Sequence, residues 1–156
     1  MGALSDKNIE LLNDLIAINN DRIEGYAKAI DLVDKEKDID IISLFEKIGQ
    51  QSQQFKAALT PLLVREGERP TETHNTMGEL YRMWMDTRIG IAGDDRYSIL
   101  AACEKAEAVF EKIYVDIWRG ATDMPEKLVD MIKSQSEVQK NTQAEVASLR
   151  DEHGPA

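Results

Sequence analysis

The chain is poor in cysteine and histidine, the side chains that form disulfides or bind transition metals through sulfur or nitrogen. Its 156 residues include one cysteine, Cys103, and two histidines, His74 and His153. A single cysteine excludes an internal disulfide framework. His74 lies in a polar loop sequence and His153 near the end of the chain, so neither is expected to reach the core of a folded domain.

Long hydrophobic runs and excess positive charge are also missing. No stretch approaches the roughly 18 apolar residues that a membrane-spanning helix requires, and the first residues turn polar before a signal peptide could form, so a cytoplasmic protein is expected. The chain has 29 Asp and Glu against 19 Lys and Arg, a net charge of −10. Such an acidic surface repels phosphate backbones, which argues against nucleic acid as a partner. The glycines form no phosphate-binding loop, and Ser, His and Asp show no nucleophile arrangement.

What the sequence does have is helical periodicity in four separate stretches. Apolar residues recur at alternating spacings of four and three across residues 12–33, where the stripe includes Ile23 and Tyr26, and across residues 41–62, 99–117 and 128–149. This pattern is typical of amphipathic helices that pack in a bundle, and no segment shows the sustained period of two expected of a strand. A chain of this length suits one domain. We therefore predict a single all-α four-helix bundle over residues 1–156, with an ordered core from about 5 to 151.

Capping signals place the helix ends. Ser5 is suited to cap the first helix, Gly67 ends the second and Gly120 ends the third. The long connection between the second and third helices has a capping box of its own, which predicts a short extra helix from Met77 to about Ala92. If that helix runs back along the bundle, helices two and three are parallel, which is the one-crossover topology of ferritin-like folds.

Polar residues interrupt the apolar stripes at similar heights. The predicted layer comprises Asn19, Asn20, Gln51, Ser52, Gln135, Gln139 and Thr142. A buried polar group without a hydrogen bond costs roughly 1 to 3 kcal/mol. The layer therefore indicates a hydrogen-bonded network, a binding site or a water-filled space.

Carboxylates on the third helix raise the question of a metal. At 100° per residue, Glu107 points partly toward the core and Glu104 lies on the border of the apolar arc. Together with Glu24 of the first helix, they could hold one weakly bound divalent cation or iron. A di-iron or di-manganese bundle, however, needs a Glu from each of two helices and Glu-x-x-His from the other two. Because neither histidine is expected to reach the core, we expect a degenerate metal site and no cofactor.

Four stretches of the sequence carry a family resemblance. They are LNDLIAINNDRIEGYAKA near the start, FEKIGQQSQQF in the second helix, GELYRMWMD in the connection and GDDRYSILAACEKAEAVFEKIY in the third helix. These stretches resemble an uncharacterised bacterial family of ferritin-like four-helix-bundle proteins, a domain of unknown function. The similarity extends from about Asn8 to Arg150. It implies the ferritin-like fold with its crossover, and it implies no established activity, substrate or cofactor.

These observations predict a non-catalytic protein with a structural, binding or stress-associated role. The rival hypothesis is a di-metal carboxylate oxidase or iron-handling protein, and the second alternative is a protein–protein interaction module. A second apolar strip on the first helix, formed by Leu11, Leu15 and Ile18, could receive the extra helix or supply a homodimer contact. The helix that carries Trp84 could also supply such a contact. If Glu107 belongs to a hydrogen-bonded layer, its replacement by Gln is expected to leave stability nearly unchanged.

Overall fold

The described part of the chain is entirely helical apart from its connections. The computed structural model describes residues 4–68, 96–121 and 123–153. These residues form the four helices α1 (Asp6–Ile30), α2 (Ile39–Arg65), α3 (Arg96–Gly120) and α4 (Glu126–His153), with no strand among them. The predicted all-α four-helix bundle is confirmed. The extra helix predicted from Met77 to about Ala92 lies outside the described residues.

Local hydrogen bonds explain where the first two helices begin and end. The side-chain hydroxyl of Ser5 accepts a hydrogen bond from the backbone N–H of Asn8 at 3.1 Å, which caps the start of α1. After α2, Gly67 has a φ of 76°, and its N–H donates to the carbonyl of Val64 while the N–H of Glu68 donates to that of Leu63. This is a Schellman motif, in which glycine is favoured because other residues rarely adopt positive φ. Both helix boundaries follow from the signals in the sequence.

The core is one continuous cluster of apolar side chains from all four helices. On α1 the burial extends beyond the main apolar stripe, because Leu15 and Ile18 are also completely buried and Leu11 is partly buried. Most of the second strip of α1 therefore packs inside this chain, and only Leu11 keeps some exposure. The homodimer prediction loses this strip as its contact surface, and the Trp84 helix lies outside the described residues, so the oligomeric state stays a prediction.

The bundle consists of two helical hairpins. α1 packs along α2, and α3 packs along α4. We call the interface between the α1–α2 hairpin and the α3–α4 hairpin the seam. The side chain of Asn19 contacts that of Tyr114 across it, and Arg22 contacts Glu107, so that positions later in α1 meet positions earlier in α3. α1 and α3 are therefore antiparallel.

Ion pairs between the starts of α2 and α3 show that these two helices run in the same direction. Arg96 at the start of α3 forms ion pairs with Asp38 and Asp40 at the start of α2. The chain leaves α2 at one end of the bundle and enters α3 at the opposite end. None of the described helices is long and apolar enough to cross a membrane.

Candidate functional site

A buried ion pair between Arg22 and Glu107 lies at the centre of the seam. Arg22 comes from the middle of α1 and Glu107 from the middle of α3, and both side chains are completely shielded from solvent. The guanidinium Nη2 donates to Oε1 of Glu107 at 2.6 Å, and Nε donates to Oε2 at 3.1 Å. Two parallel N–H···O bonds make this a bidentate pair, which fixes the orientation of both groups.

Each of the other two helices contributes a side chain to the same pair. The hydroxyl of Ser52 in α2 accepts a hydrogen bond from Nη1 of Arg22 at 3.1 Å. The amide of Gln139 in α4 donates to Oε1 of Glu107 at 3.0 Å. One residue from every helix therefore meets at this point. We call these four residues, Arg22, Ser52, Glu107 and Gln139, the mid-bundle site.

Aromatic side chains complete the surroundings of the site. The phenol of Tyr26 donates to Oε2 of Glu107 at 2.6 Å. The guanidinium carbon of Arg22 lies 4.4 Å from the centroid of the Phe110 ring. This places the flat cation over a ring face, where the cation–π attraction adds to the ion pair. The Glu107 carboxylate thus has a donor from each of three side chains, and the guanidinium has both an edge partner and a face partner.

Burial and mutual charge determine which of these groups are ionised. Burial lowers the pKa of Arg22, but the adjacent Glu107 carboxylate, together with Tyr26 and Tyr114, raises it, so the net pKa lies above its ordinary value. Burial, the Cys103 thiol and the charge of Glu107 raise the pKa of Tyr26 well above its usual range. The guanidinium therefore stays charged and the phenol stays neutral near pH 7.

Cys103 lies beside this site without the features of a reactive thiol. Its sulfur is 3.1 Å from the phenol oxygen of Tyr26, and the residue is completely buried. Burial and the negative charge of Glu107 raise the pKa of the thiol well above its ordinary value. Because the thiolate is the reactive form, Cys103 is a buried core residue and not a nucleophile.

A second hydrogen-bonded group lies further along the seam. The amide of Asn19 in α1 donates to the phenol oxygen of Tyr114 in α3 at 2.8 Å, and that phenol donates to Oε1 of Gln135 in α4 at 2.8 Å. The amide nitrogen of Gln135 in turn donates to the backbone carbonyl of Phe55 in α2 at 3.3 Å. This chain of bonds again connects all four helices.

The remaining residues of the predicted polar layer are Asn20, Gln51 and Thr142. Gln51 is half-buried, and its amide donates to the hydroxyl of Thr142 across the seam at 2.8 Å. Asn20 is buried on α1. Thr142 is buried one turn after Gln139 on α4. The structure therefore brings most of the predicted layer together as hydrogen-bonded pairs between helices.

The three carboxylates considered for a metal are placed differently. Glu107 pairs with Arg22, whereas Glu104 forms an ion pair with Arg150 at 2.8 Å and Glu24 is half-buried on α1. Within residues 4–68, 96–121 and 123–153, no group of three or more His, Cys, Asp or Glu side chains is arranged to hold a metal ion. The metal site of Glu24, Glu104 and Glu107 stays a prediction, and the side-chain positions give it no support.

Arg22 is the one member of the mid-bundle site that the sequence interpretation missed, and Tyr26 was placed on the inward stripe of α1 without being recognised as a partner of Glu107. Arg22 lies three residues after Asn19 and four before Tyr26, which is the spacing of a continuous buried stripe. The interpretation assigned that stripe to Ile23 instead, because arginine is rarely buried without a partner. The signal for the partner was present, since Glu107 is also a charged residue at an inward position.

Comparison with protein families places the chain in one of them. Residues 7–119 match the family described as "Domain of unknown function (DUF2383)". The chain belongs to this family. In this DUF2383 protein the match covers α1, α2 and nearly all of α3, and it includes Arg22, Ser52 and Glu107 but not Gln139 of α4. No curated protein and no solved structure matches the chain.

Proposed function

We propose that this protein is a non-catalytic, ferritin-like bundle in which an internal ion pair takes the place of a di-metal centre. The observation that supports this proposal is the position of the Arg22 guanidinium. It lies between the helices, where one residue from each of α1, α2, α3 and α4 converges. The Arg22 side chain supplies the positive charge beside Glu107, so no metal ion is needed to neutralise the carboxylate.

The ligand positions of di-metal bundles show what has changed. Such centres use a Glu from each of two helices and a Glu-x-x-His pair from each of the other two. In the mid-bundle site, Arg22 and Glu107 correspond to the lone glutamates. The two Glu-x-x-His pairs correspond to Ser52 with Phe55 and to Gln139 with Thr142, which have the same i, i+3 spacing. Only Glu107 of this set is a strong metal ligand, because neutral amides, hydroxyls and aromatic rings bind first-row metals weakly.

The parallel course of α2 and α3 supports the ferritin-like topology. An up-down-up-down bundle with short loops would make α2 and α3 antiparallel. The contact of Arg96 with Asp38 and Asp40 joins the starts of both helices instead. The chain combines the helix directions of a di-metal fold with side chains that suit a structural, binding or stress-associated protein.

The biological setting follows from composition. The net charge of −10 argues against nucleic acid as a partner, and the single cysteine suits a cytoplasmic protein. We propose both on these grounds. We also expect no resident cofactor, because both carboxylate oxygens of Glu107 already accept hydrogen bonds within the protein.

Metal loading tests the proposed function. Purified protein is incubated anaerobically with ferrous iron, desalted and assayed for bound metal. We expect well under one tightly bound iron per chain. Two irons per chain with oxygen-dependent absorbance would overturn the proposal in favour of a di-metal oxidase or an iron-handling protein.

A matched variant shows that the assay can detect a mid-bundle metal. Arg22→Glu removes the internal cation and places a second carboxylate opposite Glu107. Two carboxylates in a buried site cannot both ionise without a cation, so this variant is expected to retain more divalent metal than the wild type. Equal metal retention by wild type and Arg22→Glu would show that the measured metal lies elsewhere on the acidic surface.

A further inference from the structure

The partners of Arg22 match the shape of a guanidinium group and not only its charge. Glu107 accepts from two N–H groups on one edge of the cation, at 2.6 and 3.1 Å, and Ser52 accepts from a third at 3.1 Å. The guanidinium carbon lies over the Phe110 ring, 4.4 Å from the ring centroid. An edge with two parallel donors and a flat face occur together in guanidinium, whereas an ammonium group has neither.

The same arrangement disfavours a metal ion. Tyr26 donates to Oε2 of Glu107 and Gln139 donates to Oε1, so both carboxylate oxygens hold further hydrogen bonds besides those from Arg22. A metal bound to this carboxylate would have to displace these donors. It would also find a ring face on one side, where Phe110 offers no lone pair to coordinate it. The surroundings therefore select a planar cation with N–H donors.

We propose that Glu107, Ser52 and Phe110, supported by Tyr26 and Gln139, form a guanidinium-binding site that Arg22 fills from within the chain. This proposal rests on the proposed function, in which the ion pair replaces a metal centre, and it adds the ligand class of the site. Guanidinium itself, supplied from solution, binds the site when the arginine side chain is removed.

Chemical rescue of an Arg22→Ala variant tests the proposal. The substitution leaves the Glu107 charge buried without its partner, and we expect it to lower Tm by about 10 °C. Addition of about 20 mM guanidinium chloride, far below the concentrations that unfold proteins, is expected to raise the Tm of the variant by about 3 °C. That shift corresponds to a ligand present at about ten times its Kd.

Three matched solutes separate shape from charge. Ammonium chloride supplies a monovalent cation that is not planar, urea supplies a planar group of similar size without charge, and manganese chloride supplies a divalent metal. We expect none of them to raise the Tm of Arg22→Ala as guanidinium does. The double variant Arg22→Ala/Glu107→Gln lacks the carboxylate and is expected to show no rescue by guanidinium either.

A second readout and a second variant extend the test. The readout is needed if Arg22→Ala does not fold without added guanidinium. In that case far-UV circular dichroism is followed during guanidinium titration, and recovery of helicity at millimolar ligand is expected. Arg22→Lys keeps the positive charge but loses the planar edge and face, and its Tm is expected to fall nearly as far as that of Arg22→Ala. A Tm for Arg22→Lys close to that of the wild type would overturn the proposal.

The remaining outcomes are also decisive. Equal rescue by ammonium or better rescue by manganese would show that the site does not select guanidinium, and absence of any rescue by guanidinium would contradict the site outright. Each of these results leaves the iron loading of the wild-type protein unaffected. Failure of this proposal is therefore distinguishable from failure of the proposed function.

Discussion

Arg22 and Glu107 each need the other as a charge and hydrogen-bond partner, because water reaches neither side chain. Transfer of two charges from water into a protein interior costs several kcal/mol per ion, and the hydrogen bonds of a bidentate pair offset much of that cost. Such a pair adds little net stability compared with apolar residues. Its larger effect is on specificity, because either charge alone in the core is strongly unfavourable.

Glu107→Gln tests this dependence. We expect the substitution to lower the free energy of unfolding by about 3 to 5 kcal/mol, since it leaves the Arg22 cation buried without a counter-charge. Without knowledge of Arg22, a hydrogen-bonded layer predicts a nearly neutral change, so the measured value separates an ion pair from a neutral network. Urea denaturation followed by circular dichroism gives the free energy for both proteins.

A double variant provides the control for this measurement. Arg22→Met/Glu107→Leu removes both charges and fills similar volume with apolar groups, and it is expected to be more stable than either single variant, Arg22→Met or Glu107→Leu. A double variant whose loss equals the sum of the two single losses would contradict the coupling between the residues.

The site was only partly predictable at the residue scale. The inward position of Glu107 followed from helical geometry, and the amides of Gln135 and Gln139 followed from breaks in an apolar stripe. Arg22 was missed because a charged residue next to a suitable isoleucine is normally assigned to the surface. Identifying it required knowing which residue of α3 lies opposite, and that register is a property of tertiary packing.

At the scale of the helix, side chains of the polar layer form hydrogen bonds across the seam between the two hairpins. Tyr114 shows this most clearly, because its phenol accepts from Asn19 of α1 and donates to Gln135 of α4. Burial raises the pKa of this phenol above its ordinary value, so it remains a hydrogen-bond donor at neutral pH. One hydroxyl thus joins three helices.

Removal of that hydroxyl is expected to weaken the seam. Tyr114→Phe leaves Gln135 Oε1 without the phenol that donates to it, and we expect a loss of about 1 to 3 kcal/mol in the free energy of unfolding. Thermal and urea denaturation measure the change.

The matched control removes both partners. In Tyr114→Phe/Gln135→Leu the buried acceptor is replaced by an apolar group, so part of the lost stability should return. If the loss in the double variant equals the sum of the losses in Tyr114→Phe and Gln135→Leu, the hydroxyl does not act through Gln135.

The helices themselves were largely predictable from local chemistry. The Ser5 cap and the Gly67 end signal are confirmed, because hydrogen bonds to neighbouring residues determine both. The apolar spacing predicted the inward face of α3, where Ile99, Cys103 and Phe110 are all completely buried. The burial of the second strip of α1 was not predictable, since an apolar strip has the same pattern whether it meets its own chain or a partner.

At the scale of the whole molecule, the order of helix directions distinguishes a ferritin-like bundle, in which α2 and α3 are parallel, from an up-down-up-down bundle, in which they are antiparallel. The length of the connection between α2 and α3 indicated a crossover from the sequence, but length alone does not show where the two helix starts lie. The ion pairs of Arg96 with Asp38 and Asp40 supply that information. Long-range contacts of this kind leave no periodic signal in a sequence.

Zero-length cross-linking tests the helix directions in solution. Lys47, in the first third of α2, has its Nζ 2.9 Å from Oε1 of Glu145, in the last third of α4, and both side chains are exposed. A carbodiimide joins an amine to a carboxylate only when the two are in contact. We therefore expect a Lys47–Glu145 isopeptide bond within single chains, identified by mass spectrometry of the digested monomer band.

An internal control and a contrary result are both available in the same digest. Lys112 and Asp116 lie one turn apart on α3, 2.7 Å between charged atoms, so their cross-link reports that the reagent has worked whatever the topology. In a bundle with α2 parallel to α4, Lys47 would instead lie near the first half of α4. Cross-links from Lys47 to Asp130 or Glu137 without any to Glu145 would refute the parallel arrangement of α2 and α3, and with it the topological support for a ferritin-like fold.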